Sequence, residues 1–222
     1  MKDASPAEVR ADRAFLERVV RWLAGEGGMR QFVDVHAGPP AYPRAVDIAR
    51  HAAPGARLVC VDHGLLAPRP ARHPAASPGT PGIVAAPAHG TGDLLERAGR
   101  VVDLDRPVAV LLLAVLHLID DHDDPHGLVA CLRDALCPGS YLAISHAGPD
   151  ARHVPTRRDL PAIRRFFDGL ELVLPGVVRV DTWRPGRLHP VPHAWFPATY
   201  GGIGRTVRRP TLPIPLHRQD TR

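Results

Sequence analysis

The chain has 222 residues, of which 45% are hydrophobic, and its 28 basic and 23 acidic residues give a formal net charge of +5. These values are typical of a globular chain that forms one α/β domain, or one domain with small additions. No apolar run reaches the roughly 18 residues of a membrane span, and the polar start does not resemble a signal peptide, so we expect a cytoplasmic protein without a membrane partner. The arginines are scattered among acids, which disfavours nucleic-acid binding.

Hydrophobic periodicity and helix-terminating residues predict alternating helices and strands. The predicted helices are 5–26, 44–52, 124–136 and 159–167. The predicted strands are 31–35, 57–62, 83–86, 107–114, 140–145, 171–173 and 200–204. This alternation favours an α/β fold with a mostly parallel sheet, in which ligands bind beyond the carboxyl ends of the strands.

Two proline-rich stretches interrupt the pattern. Residues 67–82 contain five prolines, and proline removes a backbone donor and clashes with the preceding turn, so a regular helix is not expected there. The segment from Thr206 onward is also rich in proline and is expected to be extended or disordered. We therefore predict a single domain over 1–205 with an irregular loop at 67–82, followed by a tail over 206–222.

Four longer stretches share a pattern with one protein family. They are DLDRPVAVLLLAVLHLIDDHDDP (103–125), LCPGSYLAISHA (136–147), RRFFDGLELVLPGVVRVDTWRPG (164–186) and YGGIGR (200–205). Together they resemble the actinobacterial S-adenosylmethionine (SAM)-dependent methyltransferase family once catalogued as a domain of unknown function. The resemblance implies a Rossmann-like class I methyltransferase sandwich, with a seven-stranded, mostly parallel sheet whose last strand is antiparallel. It also implies a SAM pocket at the ends of the first, second and fourth strands.

The cofactor motif departs from the family pattern, which reads roughly Asp-Ile-Gly-Thr-Gly after the first strand. Residues 34–38 read DVHAG, so Asp34 and Gly38 match, whereas His36 replaces a glycine whose missing side chain makes room for SAM. Asp62 matches the acid that the family places against the ribose hydroxyls. The family's Tyr-Asp-Tyr-Leu-Leu-Gly-Gly-type N-terminal segment is not found. The expectation is a degenerate cofactor site in which Asp34, Gly38 and Asp62 would still hold SAM.

Histidines follow five of the predicted strands: His36, His63, His89, His117 and His146. In a parallel sheet these positions gather at the ligand-binding edge. Neutral imidazoles there can act as general acids or bases, or can hold zinc where their nitrogens converge. The alternative is that they fill solvent-exposed or structural positions. His117 and His146 match the family pattern, whereas the other three stand where the family has glycine, asparagine and arginine.

The acidic stretch LIDDHDDP (118–125) admits two interpretations. Four aspartates and a histidine could bind a metal, although we do not assign one. The favoured interpretation is that Asp123 or Asp124 caps the following helix.

Three functions stay open. The first is a SAM-dependent methyltransferase that acts on a small molecule in secondary metabolism. The second is a methyltransferase-fold enzyme that has lost methyl transfer and uses the histidines, as acid/base groups or through a metal, for cyclisation, isomerisation or elimination. The third is a non-catalytic binding subunit. A homo-oligomer is compatible with each of them.

Overall fold

The computed structural model describes residues 6–36, 45–62, 83–84, 91–151, 154–184 and 199–207. The helices are α1 (Pro6–Ala24), α2 (Ala45–Ala52), α3 (Thr91–Gly99), α4 (Pro125–Ala135) and α5 (Leu160–Arg165). The strands are β1 (Gln31–His36), β2 (Arg57–Asp62), β3 (Ile83–Val84), β4 (Ala109–Leu113), β5 (Tyr141–Ala147), β6 (Leu170–Leu172), β7 (Val178–Arg179) and β8 (Thr199–Thr206). Two 3₁₀ turns, Leu116–Leu118 and Asp121–Asp123, lie between β4 and α4.

The strands form one sheet in the order β3-β2-β1-β4-β5-β8-β6. Strands β1 to β5 are all parallel to one another, whereas β8 runs antiparallel to both β5 and β6. The short β7 pairs with β8 beside this path. The predicted seven-stranded sheet with an antiparallel last strand is therefore confirmed, with β7 as a small addition.

Helices cover both faces of the sheet. Buried residues of α3, α4 and α5 pack with one side of the strands, and buried residues of α1 and α2 pack with the other. The apolar run in β4 is buried on both faces because Val110 and Leu112 point to one helix layer while Ala109 and Leu111 point to the other. This sandwich positions the carboxyl ends of β1, β2 and β4 side by side.

Helix α3 and strand β7 were not predicted. Helix α3 has nine residues with the sequence TGDLLERAG. Its two glycines lower the helix propensity of this segment. Its formation follows from tertiary burial of Leu94 and Ala98 and from an Asp93–Arg97 ion pair of 2.6 Å one turn apart. Strand β8 continues to Thr206, one residue into the predicted tail. The proline-rich loop 67–82 lies outside the described residues.

The glycines of β8 allow α1 and the sheet to approach closely. A Cβ atom on Gly201 would stand 2.7 Å from Cζ of Phe15 and 2.9 Å from the carbonyl oxygen of Ile144. The Phe15 ring is buried and meets Trp183 edge to face, with 5.7 Å between the ring centroids. The small residue in β8 therefore makes room for the aromatic packing of α1.

Among the described helices, none has the length and apolar character needed to cross a membrane.

Candidate functional site

Three of the five histidines singled out in the sequence, His36, His117 and His146, lie at the same edge of the sheet. His36 is the last residue of β1, and its backbone is in register with Asp62, the last residue of β2. His117 lies in the 3₁₀ turn after β4, and His146 is near the end of β5. The sequence had predicted that His146 follows the strand. In the structure His146 is instead part of the strand.

Several predicted site residues cannot be placed. His63, His89 and Gly38 lie outside the described residues, and the side chains of His36 and Asp62 are not described. The roles assigned to these residues stay predictions.

Asp34 occupies the middle of β1 and is half-buried, on the side of the sheet that faces α1 and α2. Its neighbours Val33 and Val35 point to the opposite helix layer. Asp34 is therefore a partly buried carboxylate close to the carboxyl end of the strand.

His117 and His146 form a buried pair. Their ring centroids are 5.7 Å apart and the rings are nearly perpendicular. The exposed fraction is 6% for His117 and 0% for His146. The backbone N–H of Ala147 donates to Nδ1 of His117 over 3.4 Å, so Nδ1 is the acceptor nitrogen and a neutral His117 ring carries its proton on Nε2.

Both nitrogens of His146 are engaged by protein groups. Nδ1 lies 2.7 Å from the carbonyl oxygen of Ala147, and Nε2 lies 2.7 Å from Nη1 of Arg158. Burial lowers the pKa of His146 to about 4, and the positive charge of Arg158 acts in the same direction while the Ala147 carbonyl opposes it. His146 is therefore neutral near pH 7.

Arg158 was not predicted as a site residue from the sequence; it is 5% exposed and lies between β5 and α5. It borders an open pocket of about 280 Å³. The pocket is lined by Asp121, Asp124, Pro125, His126, Arg158, Ala162 and Arg165. No signal in the local sequence distinguishes Arg158 from the other basic residues of the chain, because its partners come from segments that are distant in sequence.

His126 forms one wall of this pocket and was also missed. Its ring stacks on Phe166 with 4.0 Å between centroids and an interplanar angle of 14°. Burial lowers the pKa of His126, and the charges of Arg165 and Arg158 lower it further. The pocket therefore combines a neutral imidazole with charged groups of both signs.

The acidic stretch forms ion pairs and a helix cap. Asp120 and Asp123 each contact the His122 ring, at 3.1 and 3.2 Å, and the hydrogen bond to Asp120 raises the pKa of His122. Asp124 accepts a 2.9 Å hydrogen bond from the backbone N–H of Gly127, which confirms the predicted cap of α4. Across the described part of the chain, no three His, Cys, Asp or Glu side chains are grouped so that they could hold a metal.

The sheet order, the two helix layers and the antiparallel β8 define a class I methyltransferase fold. The family model described as S-adenosyl methyltransferase matches residues 2–207, a span that includes the four stretches on which the resemblance was based. The chain belongs to this S-adenosyl methyltransferase family. Membership indicates an enzyme that binds SAM.

Solved structures agree with this assignment. A protein from Thermobifida fusca YX, provisionally described as a methyltransferase, is 29% identical over 93% of this chain and 85% of its own, with a TM-score of 0.75. A DUF574 family protein from Streptomyces avermitilis MA-4680 is 34% identical over 89% of this chain and 83% of its own, with a TM-score of 0.73. A SAM-dependent methyltransferase from Anabaena variabilis, 10% identical over 92% and 96% of the two chains with a TM-score of 0.50, shares the fold alone. No functionally curated protein matches the chain.

Proposed function

We propose that the protein transfers a methyl group from SAM to a small molecule, at the carboxyl edge formed by β1, β2 and β4. The family match over residues 2–207 is the observation that carries this proposal. The proposed acceptor is a small molecule of secondary metabolism. A nucleic-acid acceptor is disfavoured because the arginines of the sequence are scattered among acids.

The residues at the ends of β1 and β2 suit the adenosyl part of the cofactor. Asp62 closes β2 and its backbone lies beside the end of β1, where an acidic side chain can accept hydrogen bonds from the ribose hydroxyl pair. Asp34 adds a half-buried carboxylate at the adjoining strand. SAM, when bound, supplies an electrophilic methyl group on a sulfonium centre. The protein must hold an acceptor in line with that group, and such positioning is a large source of rate acceleration.

His117 and His146 are proposed to shape the walls of this site and not to transfer protons. Both nitrogens of His146 already have partners, and Nδ1 of His117 accepts from the backbone of Ala147. With Nδ1 engaged, a neutral His117 ring carries its proton on Nε2 and so has no nitrogen ready to accept a proton. We therefore assign proton transfer to neither histidine: His117 lines the site and His146 supports it.

A second candidate function is favoured by the position of His36. It ends β1 directly beside Asp62, at the point where the family motif has glycine. An imidazole and a carboxylate on neighbouring strand ends are a pair suited to acid/base chemistry. In this alternative the pocket no longer serves methyl transfer, and His36, with His63 and His89, catalyses a cyclisation, isomerisation or elimination.

Calorimetry with SAM and its demethylated product S-adenosylhomocysteine (SAH) tests the first function. We expect low-micromolar or tighter binding, and we expect Asp62→Asn to weaken it by about tenfold or more, since hydrogen bonds to charged groups contribute about 1.5–3 kcal/mol. Asp105→Asn is the matched control, because Asp105 is exposed and lies in the turn before β4. Absence of binding up to millimolar concentrations would eliminate methyl transfer.

His36→Gly separates the two candidate functions. Under methyl transfer it restores the glycine that the family resemblance implies and should strengthen SAH binding, because it removes a side chain from the position where the family makes room for SAM. Under the alternative it removes an acid/base group and should leave SAH binding undetectable, as in the unsubstituted protein. A non-catalytic binding subunit would bind SAH without transferring methyl groups to any acceptor offered.

A further inference from the structure

Arg158 is a buried cation that joins three segments of the chain. Its Nε and Nη2 both donate to Oδ1 of Asp121, at 3.0 and 2.6 Å. Nη1 donates to the carbonyl oxygen of Leu116 at 2.9 Å, and Nη2 donates to that of Ile119 at 3.0 Å. Nη1 also lies 2.7 Å from Nε2 of His146 in β5. We call these five residues and their bonds the Arg158 network.

The network fixes the protonation and tautomer of His146. A guanidinium stays protonated in proteins, so Nη1–H must donate and Nε2 of His146 must accept. The proton of the neutral ring is then on Nδ1, from which it is donated to the carbonyl oxygen of Ala147 over 2.7 Å. A second proton on the ring would point at the guanidinium and break the bond. The neutral Nδ1–H form is therefore the one that the network requires.

An aromatic ring supports the network from one side. The guanidinium carbon of Arg158 lies 5.5 Å from the centroid of Phe166, and the His146 ring stacks on Phe166 at 5.8 Å. Phe166 is itself buried. Because the guanidinium is planar and its donors are fixed in direction, contacts on its face and its edge together determine its orientation.

The segment held by Arg158 carries His117. Residues 116–121 lie in the connection between β4 and α4, and His117 is the second residue of the segment. The carbonyl oxygen of His117 accepts from the backbone N–H of Thr156 at 3.1 Å, and its Nδ1 accepts from Ala147. The segment is thus tied both to the end of β5 and to the stretch that precedes α5. A change in the Arg158 network would shift the His117 ring relative to the carboxyl end of β4.

We propose that Arg158 is a positioning residue of the methyltransferase site, and that it acts by holding the 116–121 segment against the end of β5 through a neutral His146. This inference rests on the proposed function for its effect on ligand binding. Arg158 itself touches neither the cofactor nor the acceptor in this assignment. Its role is to fix the position of His117 at the carboxyl edge of the sheet, where the ligand is proposed to bind.

Arg158→Gln is the decisive variant, and Arg157→Gln is its matched control because Arg157 is the exposed neighbour. Nitrogen NMR of the His146 ring reports the tautomer, and amide hydrogen exchange of Leu118 and Ile119 reports how firmly the segment is held. We expect the single Nδ1–H form in the unsubstituted protein. In Arg158→Gln we expect a mixture of tautomers and exchange about tenfold faster at the two amides, since several charge-assisted hydrogen bonds are lost.

SAH calorimetry supplies the functional readout. We expect Arg158→Gln to weaken SAH binding by about tenfold and Arg157→Gln to leave it unchanged. A variant with the tautomer, the exchange rates or the SAH affinity of the unsubstituted protein would overturn the proposal. An unsubstituted protein that binds no SAH would instead refute the proposed function, and the tautomer and exchange rates would then decide whether Arg158 holds the segment.

Asp121→Asn covers the case in which Arg158→Gln does not fold. The Asp121 side chain is 73% exposed, so this change leaves the core untouched while it removes the charge that faces Arg158. We expect faster amide exchange at Ile119 of about threefold, in the same direction as for Arg158→Gln. Unaltered exchange in a folded Asp121→Asn protein would contradict the network as described.

Discussion

Acidification is expected to destabilise the protein through His146. Burial lowers the pKa of this residue from its ordinary value of 6.5 to about 4, with Arg158 and His126 acting in the same direction and Asp121 against it. Between these two pH values the unfolded chain binds a proton that the folded protein does not. The stabilising contribution is therefore complete above pH 6.5, declines as the pH falls toward 4, and declines no further below it.

The size of the effect follows from the two pKa values. At about pH 5 the unfolded state is almost fully protonated at this residue and the folded state is almost unprotonated. The linkage relation then gives a loss of about 2 kcal/mol in the free energy of unfolding relative to about pH 7.5. For a chain of this size, each kcal/mol corresponds to roughly 2–4 °C in Tm.

Urea unfolding of the unsubstituted protein and of His146→Gln at both pH values measures this contribution. Glutamine offers an oxygen to Arg158 and an N–H to Ala147 but does not titrate, so the variant should lose about 2 kcal/mol less on acidification. The control is His122→Gln, at an exposed histidine that hydrogen-bonds Asp120. It should keep the acid-dependent loss from His146. Equal losses in the unsubstituted protein and His146→Gln, or a His146 ring that titrates near pH 6.5 by NMR, would refute the reasoning.

Two further substitutions test the close approach of β8 to α1 and the N-terminal cap of α4. Gly201→Ala places a Cβ against the Phe15 ring and a backbone oxygen, so it should lower the free energy of unfolding by about 1–3 kcal/mol in urea titration. Gly92→Ala, where the added Cβ meets nothing within 4 Å, should not destabilise, and a loss as large as that of Gly201→Ala would disprove the steric argument. Asp124→Ala removes the acceptor for Gly127 N–H and should cost about 0.5–2 kcal/mol in the same assay, whereas Asp124→Asn, which retains an oxygen, should cost less. Equal losses in the two Asp124 variants would count against the cap.

The central strands of the sheet could be predicted because their buried residues form continuous apolar runs in the sequence. Residues 109–112 and 141–147 are buried at every position, and a run of apolar residues is what a strand covered on both faces requires. Helix α3 could not be predicted in this way. Its stability depends on Leu94 and Ala98 meeting a sheet that the local sequence does not reveal, so tertiary burial outweighs the low propensity of its glycines.

Only those residues of the candidate site that lie at the ends of strands could be predicted from the sequence. His117 and His146 were brought to one edge by the alternation of strands and helices, since parallel strands end on the same side. The partner of His146 was not predictable, because Arg158 lies 12 residues further along in a stretch without strand or helix. Its position depends on carbonyl groups of the segment after β4, which no residue pattern encodes.

The division between core and edge means that the altered motif expected from the resemblance is compatible with an intact fold. His36 contributes its backbone to β1 in register with Asp62, and that pairing does not depend on which side chain the residue carries. The buried residues of β1, Phe32, Val33 and Val35, supply the packing. The proposed replacement of glycine by histidine at the strand end therefore leaves the backbone pairing of the sheet unchanged. The imidazole of His146 at the end of β5 already has a protein partner at each nitrogen, so the proposed acid/base alternative relies on the β1–β2 edge.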